Sequence, residues 1–327
     1  MRVLVVGGAG YIGSHTVRAL LRAGHEVAIF DDLSTGHAES APEGVELTRG
    51  DILSREDLAR VLDGKSFDAM MHFAAKTAVG DSVKNPEYYY EQNVQGSLVL
   101  FGAARRAGIK GVVFSSSAAC YGLPESVPIE EDARLQPINP YGWTKRMMEQ
   151  MLADFAAAYG LPSVSLRYFN AAGAEPDGAI GEDHRPETHL IPRVLFAARD
   201  GGAVSIFGTD YDTRDGTAIR DYIHVTDLAE AHVLAMGAFE DGTAKVFNLG
   251  SGNGFTVREV IDVARSVVGR EFTVEEGPRR AGDPPSLVAS SEKFKEAVGW
   301  DPKLDSLEKI VETAWAWFTA HPKGYDA

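Results

Sequence analysis

The sequence contains a single cysteine, Cys120. One thiol makes neither an internal disulfide nor a cysteine-based zinc site, so a reducing, cytoplasmic setting is expected. No run of about 18 apolar residues is present, and no membrane span is expected. A first strand at Arg2 with no basic n-region before it gives no expectation of a secretory leader. Internal repeats and low-complexity tracts are absent. Basic residues are the minority, 32 Lys and Arg against 47 Asp and Glu, for a formal net charge of −15. That balance, without a basic block, argues against nucleic acid as a partner. An anionic small molecule then needs a local cluster of arginines. The 327 residues, 44% hydrophobic and 24% charged, suit one large core or two domains.

The stretch Tyr141-Gly-Trp-Thr-Lys145 is the first candidate for chemistry. Residues four apart on a helix lie on one face. An ammonium beside a phenol favours the phenolate and lowers its pKa, which makes the pair a candidate general base. The spacing alone is also that of a surface pair, so its surroundings decide.

Residues 2–7 read as a buried strand, followed by Gly7-Gly-Ala-Gly10-Tyr-Ile-Gly13 and a helix to Gly24. Strand, glycine turn and helix are the context of a dinucleotide site, where backbone and helix N-terminus meet a pyrophosphate. A second strand, 26–30, ends in Asp31-Asp32; Asp31 lies 18 residues past Gly13. A carboxylate there accepts from a ribose 2′-hydroxyl and repels a 2′-phosphate, favouring NAD over NADP. A third strand, 45–49, leads to Asp51, where an adenine contact and a helix cap compete evenly. A fourth, 69–73, contains His72, read as a packed histidine, and opens into Ala74-Ala75, small enough for a flat cofactor. Asn93 lies in a helix predicted over 86–108, as surface polarity or as a cofactor or backbone contact. A fifth strand, 111–114, runs into Ser115-Ser116-Ser117, at the same carboxyl edge as the glycine turn. A Pro-rich loop, 122–140, precedes a helix over 141–159, and a sixth strand, 163–169, ends in Asn170.

This alternation predicts an α/β fold: a doubly wound parallel sheet of Rossmann type with a smaller C-terminal α/β lobe. Short strands are expected at 204–207, 220–225, 246–249 and 272–275, and helices near 189–200, 226–239, 256–268, 290–298 and 305–320. The dinucleotide domain is taken as 1–170 plus about 226–251, and the second as 171–225 with 252–327. In the second, Arg220 and Arg280 offer forks suited to a diphosphate, whereas Arg279 reads as a solvated charge. No metal site is expected.

Together these motifs resemble the extended short-chain dehydrogenase/reductase family. GEDHRPETHLIP at 181–192, DGTAIRDYIHVTDLA at 215–229 and PRRAGD at 278–283 are similar to its UDP-sugar 4-epimerase branch. The resemblance covers essentially the whole chain. It implies NAD-dependent interconversion of UDP-galactose and UDP-glucose by transient oxidation at sugar C4, and a homodimer. Tyr141 is then the base, Lys145 binds the nicotinamide ribose and lowers the tyrosine pKa, and Ser117 hydrogen-bonds the reacting oxygen. Gly7, Gly10, Tyr11, Ile12, Gly13, Asp31, Asp32, Asp51, Ile52, Phe73, Ala74, Ala75, Asn93 and Phe169 are the implied or candidate cofactor positions. Asn170, His189, Leu190, Ile206, Phe207, Arg220, Arg280, Asp283 and Leu287 are those for the UDP-sugar.

Three positions depart from the pattern. Thr188-His189-Leu190 stands where Asn-Asn-Leu is expected, Lys76 lies one place before a family lysine, and Leu287 takes a place that can carry tyrosine. A 4,6-dehydratase is disfavoured, because Ala118 and Ala119 replace its proton-transferring Asp-Glu pair. An epimerase of another UDP-sugar, and a non-catalytic NAD-binding protein, are the remaining alternatives. The smaller Leu287 leaves room for a 2-N-acetyl group, by hypothesis. Comparable turnover of UDP-galactose and UDP-N-acetylgalactosamine is therefore expected in a coupled assay, and no turnover of the acetylated sugar would refute it.

Overall fold

The computed structural model describes residues 1–280 and 283–326. Ala281 and Gly282, within the 278–283 stretch singled out above, lie outside the described residues. The chain begins with β1 (Arg2–Val6), α1 (Tyr11–Arg22), β2 (Glu26–Asp31), β3 (Glu46–Arg49), α2 (Arg55–Leu62) and β4 (Ala69–His72). Next come α3 (Val79–Lys84), α4 (Pro86–Tyr89), a wide helical turn at Tyr90–Gln95, and α5 (Gly96–Arg106). β5 (Val112–Ser115), α6 (Pro140–Tyr159) and β6 (Ser163–Arg167) complete the first pass.

After β6 the chain forms β7 (Asn170–Ala172), α7 (Leu190–Asp200), β8 (Ala203–Phe207), β9 (Ile219–Arg220) and β10 (Tyr222–His224). It returns through α8 (Val225–Ala235) and β11 (Ala244–Asn248), then leaves again as β12 (Phe255–Thr256), α9 (Val257–Val268), β13 (Thr273–Gly277), β14 (Ser286–Leu287), α10 (Glu292–Val298) and α11 (Leu307–Ala320). Seven strands form one sheet in the order β11-β6-β5-β4-β1-β2-β3, every pairing parallel. The expected doubly wound sheet is thus borne out.

The apolar run of β1 explains its central place. Val3 and Val5 enter the core on one face of the sheet, while Leu4 and Val6 enter the core on the other. A strand buried on both faces needs apolar residues at consecutive positions, not alternate ones. The smaller lobe packs α7, α9 and α11 around Trp317, with β8 pairing β13 and a three-strand patch of β12, β9 and β14. Helix limits follow local chemistry. Thr256 and Glu259 form a reciprocal capping box at α9, and Gly269 closes it in the left-handed conformation.

The helix expected over 86–108 is interrupted. After a regular first turn it widens between Tyr90 and Gln95, where Asn93 is buried. Wide turns of this kind insert one residue into the helical register and recur at functional sites. The preceding α3 was not predicted; six residues are too few to show a helical period, and Pro86 breaks it from the next helix.

His72 is packed as expected. It is 1% exposed, with Nε2 2.8 Å from Ser97 Oγ. Burial, then the nearby Lys145 charge, pushes its pKa down to about 3. Below pH 6.5 the unfolded chain protonates this imidazole while the native state does not, so its contribution is lost as pH falls. Urea unfolding of wild type and His72→Gln should show wild type losing about 2 kcal/mol relative to the variant between pH 6.5 and 4.5. A pH-independent difference would refute this.

Candidate active site at the carboxyl edge of the sheet

A cleft enclosing about 600 Å³ of open space lies at the strand ends. Gly7, Gly10, Asp31, Asp32, Asp51, Ile52, Phe73, Ala74, Ala75 and Asn93 all line it. Gly7 turns the chain at φ +81°, and a Cβ there would sit 2.5 Å from the Ala74 nitrogen, so only glycine fits. Gly10 caps α1 without a side chain, leaving the first N–H groups of that helix free for an anion. The Asp31 carboxylate accepts from Ala9 N and Leu33 N, both 2.9 Å, and its remaining lone pairs face a cleft able to take a ribose. These features fit a dinucleotide. Asp51 accepts from Leu53 N, while Ser54 caps α2, so the cap belongs to the serine. Lys76 lines the cleft as well; its Nζ donates to Ser34 Oγ at 2.7 Å and lies 3.8 Å from Asp32.

Three positions flank this cleft. The Tyr11 phenol donates to Gly173 O at 2.6 Å, tying α1 to the smaller lobe. Ile12 packs against the sheet core, and Gly13 follows in the same first turn of α1. Asn93 is fully buried. Its Oδ1 accepts from Lys76 N at 2.8 Å, and its Nδ2 donates to Lys76 O and Thr144 Oγ1, each at 3.0 Å. It therefore joins the loop after β4 to α6.

α6 delivers the Tyr and Lys. Asn139 caps it by accepting from Gly142 N at 2.8 Å, with Pro140 at the first helical position. A Cβ on Gly142 would meet Ala119 O at 2.6 Å, so this glycine lets the helix start lie against the 117–120 turn. Ser117 opens that turn, accepting from Ala119 N at 3.1 Å, and its hydroxyl lies close enough to the Tyr141 phenol to oppose the rise in its pKa. Tyr141 is partly exposed; desolvation pushes its phenol up to about 12, with Ser117 opposing. Lys145 donates to Ser115 O at 2.7 Å and sits 5.9 Å from the Tyr141 ring centre. Burial draws it down to about 8. The expectation that Lys145 lowers the phenol is thus corrected for the protein alone. One of its three N–H donors goes to the Ser115 carbonyl, and desolvation is the largest influence on the phenol.

The remaining predicted residues form three groups. Arg220 pairs with Asp283 and donates to Pro284 O, and Leu287 faces Arg220 across the β9–β14 pair. Leu287 and Phe169 pack together on Ala118, Tyr121 and Ile129, under the Ser117 turn. The Arg280 guanidinium lies 3.9 Å over the Phe207 ring, but Ile206 is in the core of the smaller lobe and offers a ligand only its backbone. Asn170 donates to Asp221 O, and Leu190 starts α7. The His189 ring is held by Glu182 and Glu187. Arg279 pairs with Asp210 at the surface.

The profile of the NAD dependent epimerase/dehydratase family matches residues 3–250. The chain belongs to that family. It is 52% identical over 327 residues to the UDP-glucose 4-epimerase of Halalkalibacterium halodurans, covering 99% of this chain and 98% of the relative. Among solved structures, UDP-glucose 4-epimerase from Brucella ovis in complex with NAD superposes with a TM-score of 0.93 at 46% identity, covering 97% and 98% of the two chains. The enzyme from Bifidobacterium longum in complex with NAD+ and UDP gives 0.93 at 35% identity, covering 99% and 100%.

In this member of the epimerase/dehydratase family, sequence reasoning missed the frame behind the site. Glu149 binds Arg167 through both carboxylate oxygens, at 2.8 and 2.6 Å, and accepts from Ser116 Oγ at 2.6 Å. Its signal was present: Glu149 follows Lys145 by four residues and shares its helix face. Ser82, which accepts from Tyr141 N at 3.2 Å, carries no comparable signal. Replacing Gly142 by Ala should push the helix start off the 117–120 turn. A fall in kcat of about 10²-fold is expected with cofactor affinity unchanged; unchanged kcat would show that this approach does not position Tyr141.

Proposed function

We propose that this chain interconverts UDP-galactose and UDP-glucose with NAD as cofactor, by transient oxidation at sugar C4 through a 4-keto sugar. The observation that carries the chemistry is the half-buried Tyr141 phenol near the Ser117 hydroxyl and the buried Lys145 ammonium, with alanines at 118 and 119 after the serine. Such a site handles a hydroxyl proton while having no carboxylic acid there to drive elimination. Sequence identity of about half to 4-epimerases along their full length supports the sugar assignment.

Asp31 and the N-terminus of α1 would hold the ribose and pyrophosphate of the NAD, with Asn93, Phe73, Ala74 and Ala75 shaping the cleft around it. When bound, NAD would supply a hydride acceptor and a positive charge. Tyr141 takes the C4 hydroxyl proton and returns it. Ser117 hydrogen-bonds the reacting oxygen and favours the phenolate. Lys145, fixed by Ser115 O, keeps a positive charge near both partners. Arg220 and Arg280 bind the diphosphate, so affinity resides away from the reacting carbon and leaves the sugar free to present either face.

The NAD-binding domain in this reading is 1–170 with about 226–251, and the UDP-sugar domain is 171–225 with 252–327. A homodimer is supported by exposed apolar side chains on neighbouring helices, Tyr88 and Leu98 against Trp143 and Met147. A cytoplasmic location rests on the single cysteine. No helix among the described residues is long and apolar enough to cross a membrane.

The purified chain mixed with UDP-galactose and no added cofactor should form UDP-glucose. Tyr141→Phe should lower kcat by at least about 10²-fold while UDP binding is unchanged. Full activity of that variant would remove the tyrosine from the mechanism.

A further inference from the structure

Outside the cleft, the loop before α7 gathers two carboxylates and two imidazoles. The ligating atoms of Glu182, His184, Glu187 and His189 all lie within 4.8 Å of one another. Glu182 Oε1 is 2.9 Å from both His184 Nδ1 and His189 Nδ1. His189 Nδ1 is in turn 2.9 Å from Glu187 Oε1, and His184 Nδ1 is 3.8 Å from Glu187 Oε2. His189 Nδ1 meets oxygens of two different carboxylates at equal distance, so its single N–H is shared between them.

We propose that Glu182, His184, Glu187 and His189 form a closed, four-ligand site for a divalent transition-metal cation, with zinc as the ion that suits the donors. Ligand bonds of about 2.0–2.2 Å in a tetrahedron place the donor atoms about 3.3–3.6 Å apart. With one oxygen taken from each carboxylate, Glu182 Oε1 lies 2.9 Å from both Nδ1 atoms and Glu187 Oε2 lies 3.8 Å from His184 Nδ1, distances on either side of that edge, and all four donors fall within 4.8 Å. The donor set, two imidazole nitrogens and two carboxylate oxygens, is one that zinc accepts, and four protein ligands leave no open position, as in structural sites. Charge agrees: two carboxylates with neutral imidazoles leave two negative charges, which one divalent cation cancels. Burial makes that cancellation valuable, since the Glu182 and Glu187 side chains are 3% and 7% exposed. The two histidines, 33% and 47% exposed, leave a path from solvent.

The ligands are also held from behind. Glu187 Oε1 accepts from Thr188 N and His189 N, at 2.6 and 2.7 Å, which leaves Oε2 free to turn to a cation. Trp317 Nε1 donates to Glu182 O at 2.9 Å, and Asp183 accepts from Tyr325 N at 3.1 Å. Supporting contacts of this kind orient metal ligands. The His184 ring stands edge-on to Tyr11, 6.0 Å between centres, at the start of α1. A cation here would therefore fasten the start of α7, and with it Leu190, to the C-terminal segment and the glycine-turn helix. This departs from the sequence reading, which expected no metal and gave His189 to the sugar.

The test uses the full chain, stripped with a chelator and then titrated with zinc chloride. One equivalent of zinc should survive desalting, and zinc should raise the Tm of the stripped protein by several degrees. Cobalt chloride should give the intense visible d–d absorption of tetrahedral Co²⁺. The double variant His184→Gln, His189→Gln should retain no zinc, and its Tm should ignore the ion. If that variant does not fold, Glu187→Gln, which keeps an oxygen for the Thr188 and His189 amides, should weaken zinc binding at least about tenfold. Stripped wild type that takes up no zinc, or variants that bind it as tightly as wild type, would overturn the proposal.

Discussion

A buried ammonium governs this site. Lys145 is 2% exposed, and its hydrogen bond runs to the carbonyl of Ser115 at the end of β5. Taking an ammonium out of water costs several kcal/mol unless donors are matched and geometry is fixed. The fixing is done by the same helix four residues on. Glu149 grips Arg167 on β6 and Ser116 after β5, so α6 cannot slide along the sheet. Arg167 also donates to the Tyr121 hydroxyl, which donates to Asn248 on β11. One polar chain thus links α6, the serine turn and the far edge strand. Because its members are buried, a slip of any one leaves a charge without a partner, which makes the arrangement a single state.

That constraint explains why the tyrosine and lysine act as they do. Burial draws the ammonium down and pushes the phenol up, the opposite of the simple pairwise expectation. The protein by itself therefore stores Tyr141 as a neutral phenol. Bound NAD would supply a positive charge that favours the Tyr141 phenolate, so the base would be strongest when there is a proton to remove.

The framework was legible because it rests on local rules. The apolar run of β1, the glycine turn and the strand-ending Asp31 each follow from a short stretch of chain, and the parallel sheet follows from their alternation. Asn93 shows the other case. Its sequence context left surface polarity and a cofactor or backbone contact equally open, and in the fold it is buried within a widened helical turn and bonds the Lys76 backbone. Ile206 was placed near a ligand by resemblance, yet its side chain completes the core of the smaller lobe. His189 was assigned to the sugar because of its place beside Leu190, while the fold turns its ring to Glu182 and Glu187.

The sequence by itself determined the fold class, the glycine turn and the four-residue spacing of Tyr141 and Lys145, since periodicity, glycine spacing and side-chain chemistry are properties of short segments. Tertiary structure decided the rest. It chose the acceptor for Lys145, the direction of both pKa shifts, the burial of Asn93 and the gathering of two glutamates around two histidines. Each depends on which groups lose their water together, and desolvation is set by the packing of segments remote in the chain.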